Sequence, residues 1–126
     1  MTPAARPVYV IDDDREVLAS IAFLLPTLGY ECAAFGDPEE FLGECAGLSP
    51  GCVLTDLRMP VIDGFALASR IRDRGLGWPV VMMTSDADCD VERRAAEHGV
   101  STVLHKPVDA KVLADALDRA FSGFDG

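Results

Sequence analysis

The chain has 126 residues, of which 11 are Lys or Arg and 21 are Asp or Glu, so its formal net charge is −10. This length predicts a single domain, and the 49% of apolar residues suffice to fill its core. The negative charge argues against direct nucleic-acid binding, and no apolar run suits a membrane span or a secretory signal, so we expect a cytoplasmic protein without membrane contact.

Short apolar segments alternate with amphipathic segments along the chain. In chain order, the predicted elements are strand 8–11, helix 15–28, strand 31–35, helix 38–46, strand 52–55, helix 65–74, strand 80–84, helix 91–98, strand 102–104 and helix 110–121. Four strands are almost continuously apolar, which is typical of strands covered on both faces, whereas Glu31 indicates that the second strand lies at an edge. The alternation predicts an α/β fold with a parallel sheet and right-handed connections.

Side chains suited to helix ends flank several of the predicted helices. Asp14, Asp37 and Asp109 stand at candidate N-caps, while Gly29 and Gly99 follow candidate helix ends. Asp63-Gly64 is predicted to be a turn. The expected inward face of the last helix comprises Val112, Leu113, Ala116, Leu117 and Ala120.

The cysteines do not indicate a metal site. Cys32, Cys45, Cys52 and Cys89 form no CxxC pair and no zinc-type spacing with histidine. We therefore expect reduced thiols that act mostly as small apolar side chains.

Polar side chains follow four of the five predicted strands. They are Asp12, Asp13 and Asp14 after the first strand, Asp56 after the third, Thr84 at the end of the fourth and Lys106 after the fifth. Because the carboxyl ends of parallel strands meet at one edge of a sheet, these groups are expected to lie together.

Clustered carboxylates raise each other's proton affinity, and a hard divalent cation with oxygen ligands relieves that crowding. Mg²⁺ is the best fit, because it uses one or two carboxylates and leaves coordination positions for a phosphoryl oxygen. A metal, a lysine and a hydroxyl around one carboxylate are the groups needed to hold a phosphoryl group in transfer. Asp56 would then be the nucleophile.

Four segments in this order resemble the receiver domains of bacterial two-component response regulators. They are VYVIDD (8–13), LTDLRMPVIDG (54–64), VVMMTS (80–85) and HKP (105–107). The resemblance extends over residues 8–121 and is greatest to receivers that precede helix-turn-helix effectors. It implies a doubly wound, flavodoxin-like sheet of order 2-1-3-4-5 with five helices. Residues 1–126 would be a single receiver domain with its core at about 7–121, and 122–126 a tail or the start of a linker.

The resemblance also implies roles in phosphoryl chemistry. By this likeness Asp56 is the phosphoacceptor, Thr84 the switch hydroxyl and Lys106 the lysine that contacts the phosphoryl group. The peptide bond before Pro107 would be cis. Receivers usually carry a switch aromatic three residues before the lysine, where this chain has Val103, so the aromatic part of the switch is not expected here.

The implied metal site lies beside the phosphoacceptor. Mg²⁺, or alternatively Mn²⁺, would be bound directly by Asp13, Asp56 and the backbone carbonyl of Arg58, and through water by Asp12. The side chains of Arg58 and Asp86 would flank the path of the water that hydrolyses the phosphoaspartate.

The leading hypothesis is a phosphoacceptor signalling module rather than a metabolic enzyme. Its phosphodonor would be a sensor histidine kinase or a phosphotransfer protein, and phosphorylation would change a surface near helix 4, strand 5 and helix 5, with a homodimer as one outcome. A degenerate receiver that acts only as an interaction module is the alternative. A flavin carrier on the same fold is disfavoured by the acids at 12–14, and an aspartyl phosphatase by Arg58, where a second acid is usual.

Overall fold

Five parallel strands alternate with five α-helices in the computed structural model, which describes residues 6–85 and 90–123. The strands are β1 (Arg6–Ile11), β2 (Tyr30–Phe35), β3 (Cys52–Asp56), β4 (Val80–Thr84) and β5 (Thr102–His105). The helices are α1 (Arg15–Thr27), α2 (Pro38–Glu44), α3 (Gly64–Asp73), α4 (Asp90–Glu97) and α5 (Ala110–Ser122), and a short 3₁₀ helix, Cys45–Gly47, follows α2. In the described part of the chain, none of the helices has the length and apolar character needed to span a bilayer.

The sheet has the order β2-β1-β3-β4-β5, as predicted. All neighbouring strands are parallel. Every residue of β3 and β4 is buried, because these two strands are covered on both faces. The edge position predicted for β2 is confirmed, and Glu31 on this strand is exposed.

Two apolar clusters hold the helices against the sheet. One cluster contains buried residues of α2, α3 and α4, and the other contains buried residues of α1 and α5. In the first cluster the ring of Tyr9 stacks on Trp78 at 5.5 Å and lies 5.8 Å from Phe41. Met82 and Met83 are fully buried in β4, and because successive strand residues point to opposite faces, each belongs to a different cluster.

The predicted inward face of α5 is wrong at one position. Leu113, Ala116 and Leu117 are buried, but Val112 is 49% exposed. Because 3.6 residues make a helical turn, the stripe through Leu113, Ala116 and Leu117 leaves Val112 at its margin. The buried stripe is continued instead by Phe121, whose ring stacks on Tyr30.

Aspartate side chains begin four of the five helices. Asp14, Asp37, Asp63 and Asp109 each accept a hydrogen bond from a backbone N–H in the first turn of α1, α2, α3 and α5. Three of these caps were predicted. Asp63 was predicted to be a turn residue, but it caps α3, where its carboxylate accepts from the N–H of Ala66 at 2.9 Å.

Gly64, the first residue of α3, lies directly against the end of β3. Its N–H donates to the carbonyl of Leu57 at 2.9 Å. A Cβ atom at this position would lie 2.7 Å from the carbonyl oxygen of Asp56 and 2.9 Å from Cε of Met82. Only glycine allows α3 to begin this close to the strand end that carries Asp56.

We expect Gly64→Ala to lower the free energy of unfolding by about 2 kcal/mol, because the new methyl group overlaps backbone that cannot move freely. The matched control is Gly43→Ala in α2, where a Cβ meets nothing within 4 Å. That substitution should raise the free energy of unfolding by about 0.5–1 kcal/mol through helix propensity. Urea denaturation measures both values, and equal effects of the two substitutions would contradict the close approach.

Candidate functional site

The acidic residues that follow β1 differ sharply in exposure. Asp12 is fully buried, whereas Asp13 and Asp14 are exposed. The N–H of Asp12 donates to the carbonyl of Phe35 at 3.2 Å, and its Oδ1 accepts from the N–H of Asp14 at 2.9 Å. The buried carboxylate of Asp12 is thereby fixed between β1 and the start of α1.

Asp56 ends β3, the strand that pairs with β1 on one side and β4 on the other. It is 7% exposed, and its pairing partner on β4 is Met83. The hydrogen bonding between β3 and β4 continues one residue beyond Asp56, where the N–H of Leu57 donates to the carbonyl of Met83 at 2.9 Å. Asp56 therefore lies on rigid backbone rather than on a free loop.

The carboxylates of Asp12, Asp13 and Asp56 form a cluster in which one oxygen atom from each lies within 4.8 Å of the others. Two of these residues are buried and one is exposed, so the cluster opens to solvent on one side. Carboxylate oxygens in this arrangement are the donor set preferred by Mg²⁺ and Mn²⁺. Arg58, whose backbone carbonyl was the further predicted ligand, follows Asp56 by two residues and is exposed.

The ammonium group of Lys106 reaches the same carboxylates from the end of β5. Nζ lies 2.9 Å from Oδ1 of Asp56 and 3.4 Å from Oδ2 of Asp12. The backbone N–H of Lys106 donates to the carbonyl of Thr84 at 2.8 Å, so β4 holds the lysine in place. The peptide bond between Lys106 and Pro107 is cis, as predicted.

Burial and charge act in opposite directions in this cluster. Burial raises the pKa of Asp12 above its ordinary value, the nearby charge of Asp56 adds to this effect, and the Asp14 N–H and Lys106 oppose it. For Lys106, burial lowers the pKa, but the hydrogen bond to Asp56 and the charges of Asp12 and Asp56 outweigh it, so the pKa is raised. The lysine therefore stays protonated, and its single positive charge partly compensates the carboxylates of Asp12 and Asp56.

The remaining predicted site residues lie at or near the same edge. Thr84 is buried at the end of β4, directly after the residue that pairs with Asp56. Val103 on β5 pairs with Met82 and is half-buried against the larger apolar cluster. Asp86, the predicted flank of the water path, lies outside the described residues.

Two backbone features of the segment between β3 and α3 were not predicted from the sequence. Gly64 was assigned to a turn, although its contact with the carbonyl of Asp56 fixes the start of α3. A glycine at the start of a helix that follows a buried strand is a signal of close backbone approach, so this contact was accessible in principle. Val61 adopts a φ of 70°, and nothing in the sequence signals a left-handed backbone at a β-branched residue.

Cavity size does not mark this site. A cavity of about 630 Å³ lies at the opposite edge of the sheet, where Trp78, Pro79 and Val80 line it at the start of β4. A second cavity of about 600 Å³ adjoins the acidic cluster and includes Lys106, Ser85 and Asp14 in its wall. The convergence of charged groups therefore locates the candidate site better than volume does.

Comparison with known proteins agrees with this geometry. A family model for the response regulator receiver domain matches residues 8–118. The transcriptional regulatory protein FixJ of Bradyrhizobium diazoefficiens is 35% identical over 113 residues, which are 90% of this chain and 55% of FixJ. The tetrathionate response regulatory protein TtrR of Salmonella typhimurium is 35% identical over 115 residues, which are 91% of this chain and 56% of TtrR.

Solved structures show the same fold. The crystal structure of FixJ-N has a TM-score of 0.90 and 27% sequence identity, with coverage of 100% of this chain and 99% of that chain. The chain spans about half the length of the two curated relatives, at 55% and 56%.

We expect Asp12→Asn to raise the free energy of unfolding at pH 7 in metal-free buffer by roughly 1–2 kcal/mol, because it removes a crowded buried charge. Since the pKa of Asp12 is raised above 3.8, its ionised form destabilises the folded state above that folded pKa. The gain should therefore shrink as the pH falls through the folded pKa and disappear below 3.8, where the wild-type carboxyl becomes protonated in both states.

Urea denaturation at a series of pH values measures this difference. Asp13→Asn is the matched control, because its carboxylate is exposed and should change stability little. Loss of stability in Asp12→Asn at pH 7 would contradict the account of charge crowding.

Proposed function

The chain belongs to the response regulator receiver domain family, and on this basis we propose that it accepts a phosphoryl group on Asp56 from a sensor histidine kinase or a phosphotransfer protein. The observation that carries the proposal is the 2.9 Å contact between Lys106 and Asp56 inside a cluster of three carboxylates. A nucleophile, a cation and an open metal-binding set at one strand edge match the requirements of phosphoryl transfer.

In the proposed reaction an oxygen of the Asp56 carboxylate attacks the phosphorus of a phosphohistidine. The new O–P bond forms as the P–N bond breaks, and the electron pair of that bond stays on the imidazole nitrogen. Negative charge moves from the Asp56 carboxylate to the phosphoryl oxygens. The Lys106 ammonium, which contacts that carboxylate, would then bind a phosphoryl oxygen and stabilise the charge there. The Thr84 hydroxyl would donate to the same oxygens.

The proposed metal is Mg²⁺, with Mn²⁺ as a substitute. Asp13, Asp56 and the carbonyl of Arg58 would hold it directly, and Asp12 through water. When bound, the metal neutralises charge on the carboxylates and on the phosphoryl oxygens. Asp12 remains in place through the N–H of Asp14 and through Lys106, which makes it suited to orient a water rather than to move.

We propose that the chain is a signalling domain whose catalytic activity is limited to its own phosphorylation and dephosphorylation. Arg58 and Asp86 would border the water that attacks the phosphoaspartate and would set its lifetime. The domain would work in the cytoplasm, where sensor kinases present their phosphohistidine, and its core would comprise residues 7–121.

We propose that phosphorylation draws Thr84 towards the new oxygens and shifts the surface formed by α4, β5 and α5, on which a homodimer could then form. Val103 lacks the size for the aromatic rotamer exchange, so the amplitude should be small. The second candidate, a receiver that acts only as an interaction module, is favoured by Val103 alone; the acids and Lys106 favour phosphorylation.

Incubation with acetyl phosphate and Mg²⁺ should add one phosphoryl group, detected as a single mass increment of the intact protein. Asp56→Asn should abolish the adduct, and so should chelation of the metal. Asp63→Asn is the matched control, since this carboxylate lies in the loop that follows Asp56 but caps α3, and asparagine also caps well. An adduct retained in Asp56→Asn would reject Asp56 as the acceptor.

A phosphoryl mimic should alter amide hydrogen exchange in α4 and β5 of the wild type. A population shift between two packings needs a differential stabilisation of only a few kcal/mol, which changes exchange rates measurably. Asp56→Asn treated in the same way should not respond. Identical exchange in treated and untreated wild type would favour the interaction-module alternative.

A further inference from the structure

The cavity of about 630 Å³ at the start of β4 lies at the edge of the sheet opposite the acidic cluster. Its wall is formed by the C-terminal part of α3 with the segment before β4, the segment between α4 and β5, and the C-terminal end of α5. Of the described residues in this wall, none belongs to the acidic cluster. Small-molecule sites typically have volumes of about 300–1,000 Å³, so the cavity is large enough for an organic ligand.

The inner part of this wall is apolar and held in place by the core. Ile71 and Trp78 are buried in the larger apolar cluster, and the Trp78 ring stacks on Tyr9 at 5.5 Å. Four positions of the wall carry no side chain, and they are Gly75, Gly77, Gly99 and Gly123. The cavity therefore combines a rigid apolar surface with little obstruction by side chains.

Two arginine side chains from different helices also belong to the wall. Arg72 on α3 donates from Nη1 to the carbonyl of Glu97 at 3.1 Å, and Arg119 on α5 donates from Nε to the carbonyl of Asp115 at 3.4 Å. Each guanidinium group has five N–H donors, so most of its donors remain for a ligand. In the part of the chain that the structure describes, neither arginine forms an ion pair with a carboxylate.

The charge of the wall is opposite to that of the whole chain. The chain has 21 Asp and Glu residues and a net charge of −10, yet the described residues of the wall include no acid. Ser101 and Thr102 at the start of β5 add hydroxyl groups to the same wall. Because guanidinium groups match carboxylates and phosphates with paired N–H donors, the cavity favours an organic anion.

We propose that this cavity binds a small dicarboxylic acid. One carboxylate would contact Arg72, the other Arg119, and the carbon chain would lie against Ile71 and Trp78. Two cations on separate helices and an apolar inner wall match two anionic groups that are joined by an apolar chain. Inorganic phosphate would leave that apolar surface uncovered. The site lies apart from Asp56 and does not depend on the proposed phosphorylation.

Titration calorimetry with succinate, adipate and suberate tests the proposal, because these dicarboxylates differ only in the length of their chain. Trp78 is the single tryptophan of the protein and lies in the wall, so its fluorescence reports entry of a ligand into this cavity. Butyrate, hexanoate and octanoate carry the matching chains with one carboxylate, and inorganic phosphate has no apolar part. Sodium chloride keeps the ionic strength equal in all titrations.

The variants Arg72→Gln and Arg119→Gln each remove one positive charge and keep a polar side chain. The hydrogen bond of Arg119 lies within α5, so its substitution preserves the contacts between helices. Arg70→Gln is the matched control, since Arg70 is an exposed arginine of α3 that lies outside the wall and its loss changes the net charge equally.

We expect one of the dicarboxylates to bind the wild type saturably with a Kd of about 1 mM or lower and to change the fluorescence of Trp78. Arg72→Gln and Arg119→Gln should each raise this Kd about tenfold, as for loss of a hydrogen bond to a charged group. Arg70→Gln should leave it within about twofold. The monocarboxylate of equal chain length should bind the wild type about tenfold more weakly.

Absence of saturable binding by all three dicarboxylates would overturn the proposal. An equal Kd in the wild type and both cavity variants would also overturn it, because the ligand would then bind elsewhere. A monocarboxylate that binds as tightly as its matching dicarboxylate would reject the role of the second arginine. Binding of phosphate without binding of any dicarboxylate would reject the assigned class of ligand.

Discussion

The structure of the site depends on one shared cation. Asp12 and Asp56 follow neighbouring strands, and the parallel sheet forces their carboxylates to the same edge, where both are buried. Two like charges in a poorly solvated position are unfavourable, and the Lys106 ammonium is the nearby group that contacts both. Burial and the charge of Asp56 still keep the pKa of Asp12 raised, and a divalent cation with oxygen ligands is the kind of group that relieves such crowding.

The fold serves this arrangement by fixing each charged group through backbone rather than through side-chain packing. The N–H of Asp14 holds Asp12, the N–H of Lys106 is bound by the carbonyl of Thr84, and Gly64 lets α3 begin directly against the carbonyl of Asp56. Backbone contacts of this kind leave little freedom for the carboxylates to separate. Preorganisation of this type stabilises charge that develops in a transition state, because no reorganisation is needed when the reaction occurs.

The placement of the site residues could be predicted from the sequence, because it follows from the topology of a parallel sheet. Asp12, Asp56 and Lys106 could be placed together because alternating strands and helices bring every strand end to one edge. The exposure of Val112 could not be predicted, since its helical position lies at the margin of the buried stripe, where neighbouring elements decide. The positive φ of Val61 was equally inaccessible, because the backbone preference of a β-branched residue argues against it.

Side-chain contacts join α4 to the neighbouring elements. Its C-terminal end is tied to α3, since Ser69 Oγ lies 2.7 Å from Nδ1 of His98 and Arg72 donates to the carbonyl of Glu97 at 3.1 Å. Arg94 lies over the ring of Phe65 at 4.6 Å and adds a cation–π contact to the same junction. The first turn of α4 contacts β5, since Nε2 of His105 lies 3.5 Å from Oε1 of Glu92, and Val91 is buried in the larger apolar cluster. Contacts therefore join α4 to α3 at one end and to β5 at the other, so a shift of the end of β5 next to Lys106 would be transmitted to α4 through side chains other than Val103.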